Sequence, residues 1–161
     1  MPVPLNLLFW AVLAALVVHV LDETLMNGGF VAKVKEYWWP RYNGRMFFCF
    51  NTAAIGLIAV SLALFDLFGG HWVILPIFWT FERAVHGITF HGWWTVWYRE
   101  YSPGLLSCVL FWMLLYFLTR FGMVAGQVGT FDFLVGGIAG TVGAIVLTLS
   151  PTVIFPRLLA K

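Results

Sequence analysis

Five long apolar runs occupy most of this sequence and constrain its fold more than any other feature. They cover approximately residues 4–25, 46–68, 72–97, 104–124 and 131–155. The apolar core of a bilayer is about 30 Å thick, so an α-helix needs roughly 20 apolar residues to cross it. We therefore predict an all-α polytopic membrane protein, with residues 1–161 forming one transmembrane domain of about five helices.

The composition excludes several other classes of protein. Hydrophobic residues make up 61% of the chain and charged residues 10%, whereas soluble chains contain about 45–50% and about 25%. The basic residues are scattered, so we expect no nucleic-acid partner. Cys49 and Cys108 lack the spacing of a disulfide framework or a zinc ribbon. No P-loop, nucleophile elbow or HExxH motif occurs.

The basic residues predict how the chain is oriented in the membrane. If there are five spans, the loops after the first and third spans and the C-terminus share one face. Most Lys and Arg residues fall on that face, and only Arg120 falls on the other. By the positive-inside rule, the N-terminus is outside and the C-terminus inside. The residues on the predicted inner face are Lys33, Lys35, Arg41, Arg45, Arg99, Arg157 and Lys161.

The segment 30–45, between the first two spans, mixes basic and aromatic residues. This mixture is typical of a segment in the headgroup layer. Two interpretations stay open, a membrane anchor and a lid over a site that opens to this face. Pro40 would break a helix here, so we expect two short pieces.

Ionisable side chains interrupt two of the predicted spans. Each one costs about 2.5–3.5 kcal/mol at the centre of a membrane helix on insertion scales, so such residues are candidates for function. A buried ion-pair network without function is the structural alternative. The first span contains His19, Asp22 and Glu23, and the third contains Glu82, Arg83, His86 and His91.

Helical spacing brings most of these side chains together. On an α-helix with about 100° per residue, His19 and Glu23 differ by about 40°, and Asp22 falls within the same turn. Glu82 and His86 repeat the same i,i+4 relation. The first and third spans run in the same direction across the membrane, and the rise per residue places both groups at one level. We expect them to meet in the cytoplasmic half of the bilayer.

His91 does not fit this simple pattern. On an ideal helix it lies about 140° from His86. Either Gly87 or Gly92 allows a local rewinding that turns His91 toward the site, or His91 supports the site from outside.

The combination of imidazoles and carboxylates favours a transition-metal site, because bundle helices present Glu and His one turn apart to bind such ions. We expect iron or zinc, with manganese as a further option, and an apolar or lipid-like substrate. Glu23 and Glu82 are the catalytic candidates, and Arg83 would orient a carboxylate. The expected metal ligands are His19, Asp22, Glu23, Glu82, His86 and His91.

Two other functions use the same residues. In the first, Glu23 and Glu82 exchange protons with a lipid substrate without any metal, as in an isomerase or cyclase. In the second, the protein is a proton-coupled transporter or sensor. The fifth span adds the small-residue spacing Gly136 to Gly140, which predicts close helix packing within the chain; a homo-oligomer is the alternative.

Several of these residues stand in motifs that resemble a known family. The run His19-Val-Leu-Asp22-Glu23, the later Glu82 and His86, and the segment Tyr98 to Leu105, with Tyr-Ser-Pro-Gly-Leu, together resemble the HXXEE family of small bacterial integral membrane proteins. The resemblance covers residues from about 19 to 110 and implies the bacterial cytoplasmic membrane and an enzyme of undetermined reaction. The chain departs from the pattern where Asp22 replaces the first glutamate. It departs again at Gly87, where a polar residue is expected.

Overall fold

The computed structural model describes residues 4–26 and 29–150, and within them every regular element is helical. The end of the fifth predicted span lies outside the described residues. Four helices are long and apolar enough to cross a membrane: Leu5–Leu25, Gly44–Phe68, Leu105–Met123 and Thr130–Leu149. The α-helices are α1 (Leu5–Leu25), α2 (Phe30–Tyr37), α3 (Gly44–Phe68), α4 (Ile74–His86), α5 (Trp93–Tyr98), α6 (Leu105–Phe117) and α7 (Thr130–Leu149).

Among the described residues, two of the predicted spans are composite. In the fourth, residues 104–124, a π-helical segment at Leu118–Met123 follows α6. The third, residues 72–97, combines three kinds of helix. A 3₁₀ turn at Gly70–Val73 leads into α4, a π-helical segment at Gly87–Gly92 follows, and α5 ends at Tyr98. Arg99 then takes a left-handed conformation, with φ at 54°. The π segment changes the direction in which the side chains after His86 project.

Sequence features explain where the helices begin and end. The Asn43 side chain accepts a hydrogen bond from the Met46 amide, which caps the start of α3. Gly69, with φ at 59°, ends the same helix. Segment 30–45 contains one short helix, α2, and then a turn through Pro40. This differs from the two short pieces that we expected.

Glycines on α7 allow it to pack tightly against α4. A Cβ atom added at Gly140 would lie 2.3 Å from the Phe78 carbonyl oxygen, and one at Gly136 would lie 2.7 Å from Ile77. Only a glycine fits at such a distance, since real Cβ atoms do not approach so closely. The prediction that this small-residue face packs within the chain is therefore confirmed.

The core consists of two apolar clusters, and the long helices also carry large apolar side chains on their outer faces. One cluster joins α1, α3, α4 and α6 through side chains such as Phe9, Ile58 and Phe111. The other lies beneath α2 and is almost entirely aromatic, with Phe30 and Trp94 at its centre. Many large apolar side chains are exposed along the four long helices. This exposure suits lipid contact, and it supports a membrane protein.

Candidate metal centre

Three ionisable side chains from two elements converge near the α2 end of the bundle. His19 and Glu23 lie one turn apart on the buried face of α1. His91 comes from the π-helical segment and is completely buried. The wider π turn brings the His91 ring to within 5.0 Å of the His19 ring, measured between centroids. Single π turns are frequent at functional sites, and this one supplies the rewinding that His91 required.

The two imidazoles present their Nε2 atoms to the same carboxylate oxygen. Glu23 Oε1 lies 3.6 Å from His19 Nε2 and 3.7 Å from His91 Nε2. Both separations exceed a hydrogen bond, which spans about 2.7–3.2 Å. His91 Nε2 is buried and has no hydrogen-bond partner among the described residues. A buried polar atom without a partner is costly and calls for an explanation.

Serine hydroxyls hold the other nitrogen of each ring. Ser107 Oγ lies 2.8 Å from His19 Nδ1 and donates its only proton to the Gly104 carbonyl. His19 Nδ1 must therefore donate to Ser107, which leaves a lone pair on Nε2 in the neutral ring. Ser102 Oγ lies 2.9 Å from His91 Nδ1, and the tautomer that donates from Nδ1 would leave a lone pair on His91 Nε2 too. A histidine that binds a metal is usually oriented by such a hydrogen bond from its second nitrogen.

Gly104 closes one side of this cluster. Its φ of +99° lies in the region that favours glycine. A Cβ atom here would lie 2.6 Å from His91 Cε1, 2.8 Å from His19 Cε1 and 2.9 Å from Glu23 Cγ. The Tyr-Ser-Pro-Gly segment thus brings a serine to orient His91 and a glycine that leaves room for all three side chains.

Cys108 joins the cluster, although the sequence analysis assigned it no role. His19, His91 and Cys108 each offer one ligand atom within 4.8 Å of the others, and this group can hold a metal ion. Cys108 Sγ lies 4.0 Å from His19 Nδ1, the nitrogen that Ser107 already contacts. The signal that could have identified it is its position one turn after Gly104, at the start of an otherwise apolar helix.

Asp22 lies beside the cluster and has a different set of contacts. Its Oδ2 accepts a hydrogen bond of 2.9 Å from the Ser107 amide, and its Oδ1 accepts one of 3.2 Å from the Tyr101 hydroxyl. Asp22 therefore ties α1 to the start of α6. Ser102, Ser107 and Tyr101 had no signal in the sequence beyond their place in and after the Tyr-Ser-Pro-Gly segment.

The remaining predicted site residues lie together on α4. Arg83 forms a buried, bidentate ion pair with Glu82, in which Arg83 Nη2 lies 2.7 Å from Oε1. His86 stacks on Phe90, and its Nδ1 lies 3.3 Å from the Thr148 hydroxyl. These groups have partners in the protein, unlike His91 Nε2.

A cavity of about 630 Å³ connects the two groups of polar residues. Ligand pockets typically measure about 300–1,000 Å³. Its polar wall contains His19, Glu23, Glu82, Arg83 and His86. Apolar side chains of α3, α4 and α7 form most of the remaining wall, among them Phe50, Leu57, Phe78, Trp79, Val142 and Val146.

Segment 30–45 covers the end of this cavity. Phe30 and Tyr42 line the cavity, and Phe30 lies 6.1 Å from the His91 ring. Lys33 Nζ donates a 2.9 Å hydrogen bond to Glu100 Oε2, which links α2 to the loop after α5. The Lys33 ammonium, together with the Trp94 indole N–H, lowers the pKa of the Glu100 carboxyl.

Comparison with known proteins identifies a family but adds no activity. The family model HXXEE, described as "Protein of unknown function with HXXEE motif", matches residues 10–119, more than half of the chain. No curated protein and no solved structure matches the chain. The matched range contains His19, Glu23, His91 and the Tyr-Ser-Pro-Gly segment. The chain therefore belongs to the HXXEE family of proteins of unknown function.

Proposed function

We propose that this protein is a membrane-embedded metalloenzyme that acts on an apolar substrate. One observation carries the proposal: two imidazole Nε2 atoms and one carboxylate oxygen converge in a fully buried place. With the His91 proton on Nδ1, as for His19, three acceptor atoms meet here, and they repel one another unless a cation lies between them. The described residues supply no ammonium or guanidinium contact at that point, so a metal ion is the cation that best fits it.

His19, His91 and Glu23 would be the ligands of this ion. Ligand atoms about 2.0–2.2 Å from zinc lie roughly 3.0–3.5 Å from one another, slightly less than the 3.6 and 3.7 Å found here. A small contraction around the ion would complete the site. Two histidines and one carboxylate suit iron or zinc, and manganese less well. Cys108 is the alternative third ligand, but its sulfur lies on the Nδ1 side of His19.

The protein's own residues would bind and orient the substrate. The apolar walls of the cavity would hold a hydrocarbon portion and exclude water from the reacting end. His86 and the Glu82–Arg83 pair line the same cavity and would contact a polar group of the substrate. A bound ion would polarise an oxygen atom of the substrate or of a water molecule.

Metal content is the direct test. We would purify the protein in mild detergent without a histidine tag, reconstitute it with iron, zinc or manganese, and measure metal by inductively coupled plasma mass spectrometry. We expect about one equivalent per chain, and near-complete loss in His19→Ala, His91→Ala and Glu23→Gln. His71→Ala is the matched control, because His71 lies far from this cluster and contacts Asp132.

The third ligand is assigned by comparing Cys108→Ser with Glu23→Gln. Cys108→Ser should retain the ion if Glu23 is the ligand, and should lose it if the thiolate is. Protein that binds no metal after reconstitution, or that keeps its metal in both His19→Ala and His91→Ala, contradicts the proposal. That result would favour metal-free acid–base chemistry by the same residues.

A further inference from the structure

The cavity opens sideways, toward the region that lipid would occupy. Leu57 on α3 is 57% exposed, and Val142 and Val146 on α7 are 55% and 52% exposed, although all three line the cavity. A side chain that both lines a cavity and is exposed on an apolar helix lies at the mouth of that cavity. The mouth is therefore formed by α3 and α7.

The packing of the helices explains this opening. Both α3 and α7 pack against α4, and α7 does so much more closely through its glycines. Among the described residues, α3 and α7 do not pack extensively against each other. The gap between them runs along the apolar part of both helices. Its floor is α4, which carries Phe78, Trp79 and the Glu82–Arg83 pair.

The charges inside the cavity indicate which polar end would suit it. Among the described residues that line the cavity, Arg83 is the only Lys or Arg, and Glu82 binds it through two hydrogen bonds. Glu23 and Glu82 are both carboxylates. Arg83 is already engaged by Glu82, and the charge of an ion at His19, His91 and Glu23 would be offset in part by the Glu23 carboxylate, so the desolvation of a doubly charged phosphate headgroup would not be repaid. An uncharged hydroxyl or carbonyl needs no countercharge.

We propose that the substrate is an uncharged, long-chain membrane lipid that enters between α3 and α7 and places its single polar end beside His19 and Glu23. This inference rests on the proposed function for the identity of the reacting end. The entry route rests on the cavity alone, and the preference for an uncharged lipid holds with or without the ion. A hydrocarbon chain would remain in contact with bilayer lipid at the mouth throughout its entry.

Photolabelling with matched lipids tests this proposal. The protein in lipid nanodiscs would be irradiated with a long-chain alcohol carrying a diazirine on its chain, or with the phosphate monoester of that alcohol. Labelled peptides would be mapped by mass spectrometry. We expect the alcohol to label α3 and α7 at the residues of the mouth, and the phosphate to label them much more weakly.

Tryptophan substitutions at the mouth provide the second arm. Ala53 and Ala139 line the cavity and are exposed, so Ala53→Trp and Ala139→Trp would fill the mouth. Each substitution should lower labelling by the alcohol about tenfold or more, because the added indole occupies the space through which the hydrocarbon chain would enter. Val60→Trp and Ile138→Trp are the controls, since these residues are exposed on the same helices but do not line the cavity.

Metal content measured on the same samples separates the two proposals. Labelling that is equal in the mouth variants and the controls overturns the lateral entry, whatever the metal content. Labelling by the phosphate as strong as that by the alcohol overturns the preference for an uncharged lipid. Specific labelling of a protein that binds no metal would support the lipid cavity and contradict the metalloenzyme instead.

Discussion

The bundle contains histidine–carboxylate contacts at both ends, and the two ends differ in how their polar atoms are satisfied. At one end, His71 Nδ1 lies 2.7 Å from Asp132 Oδ1, a direct hydrogen bond from an imidazole whose side chain is 83% exposed. At the other, Glu23 lies 3.6 and 3.7 Å from two buried imidazoles. The first contact is a complete hydrogen bond, whereas at the second His91 Nε2 is buried and has no hydrogen-bond partner among the described residues.

This difference separates a structural contact from a candidate site. A contact of this kind, in which one partner is exposed to solvent, contributes about 0–1 kcal/mol and needs no further explanation. Acceptors that are buried and unpaired are retained only where something binds them or uses them. The types of residue are the same at both ends, so the two ends are distinguished by the burial of the side chains and by the distance between imidazole nitrogen and carboxylate oxygen. If the distinction is correct, variants at the two ends should have very different effects on metal content.

The largest effect is expected from Gly104→Ala. The methyl group would clash with His19, His91 and Glu23, and the positive φ would add about 1–2 kcal/mol of backbone strain. We expect near-complete loss of metal and a lower midpoint of thermal unfolding. Gly126→Ala is the control, because its φ is +72° but nothing lies within 4 Å of its Cβ position. Retention of a full equivalent of metal in Gly104→Ala would contradict the distinction between the two ends of the bundle.

A smaller effect is expected from removing the hydroxyls that orient the imidazoles. Ser102→Ala and Ser107→Ala should each weaken metal affinity about 10–100-fold, as loss of such hydrogen bonds typically does. Competition with a chelator of known affinity would measure it. Ser61→Ala is the control, since Ser61 is buried on α3 and bonds Trp79 instead. Affinities that are unchanged in both site variants would mean that the rings are oriented without these serines.

Changes at the opposite end should affect stability only. Asp132→Asn weakens the contact with His71, and we expect a loss of about 0.2–1 kcal/mol in the free energy of unfolding. Metal content should equal that of the unsubstituted protein. A loss of metal in this variant would show that the two ends are coupled and that their separation is wrong.

The smallest effect concerns the contact between α2 and the loop after α5. Lys33 lowers the pKa of Glu100, so this contact stabilises the fold above the ordinary glutamate pKa of about 4.3. The stabilisation is lost as the pH falls through the lowered pKa of the folded state. Lys33→Met should raise the Glu100 pKa toward its ordinary value, measured by NMR titration of the carboxyl carbon. Lys35→Met should leave it unchanged, because no ion pair joins Lys35 to Glu100.

The helices of this protein were largely predictable from local pattern. Apolar runs of about 20 residues indicate membrane helices without any knowledge of their neighbours. The close packing of α7 followed from its glycine spacing, although the partner, α4, did not. A local rewinding at Gly87 or Gly92 was one of two alternatives, but the 3₁₀ turn at Gly70–Val73 and the π-helical segment at Leu118–Met123 were not predicted. The orientation of the chain in the membrane stays a prediction.

The site was predictable only in part. Charge inside an apolar run identified His19, Glu23 and His91 as candidates, because the cost of insertion is read from one helix at a time. Ser102, Ser107 and Cys108 carry no such insertion cost, so this argument did not identify them. Four other predicted residues lie beside the cluster or on the wall of the same cavity: Asp22, Glu82, Arg83 and His86. Each of them forms a hydrogen bond or ion pair with another group of the protein. The assignment of Asp22, Glu82 and His86 as ligands, and of Arg83 as the group that orients a carboxylate, therefore stays a prediction, and the geometry favours His91 over His86.

The sequence by itself determined that this chain is a helical membrane protein and which costly residues it places within the apolar runs. Those properties depend on the transfer of single helices from water to lipid, which is additive along the chain. Only the tertiary structure decided which atoms meet. Convergence on Glu23 depends on the π turn before Trp93 and on the space left by Gly104, and the opening of the cavity depends on the gap between α3 and α7. Each of these arises from contacts between residues far apart in the sequence.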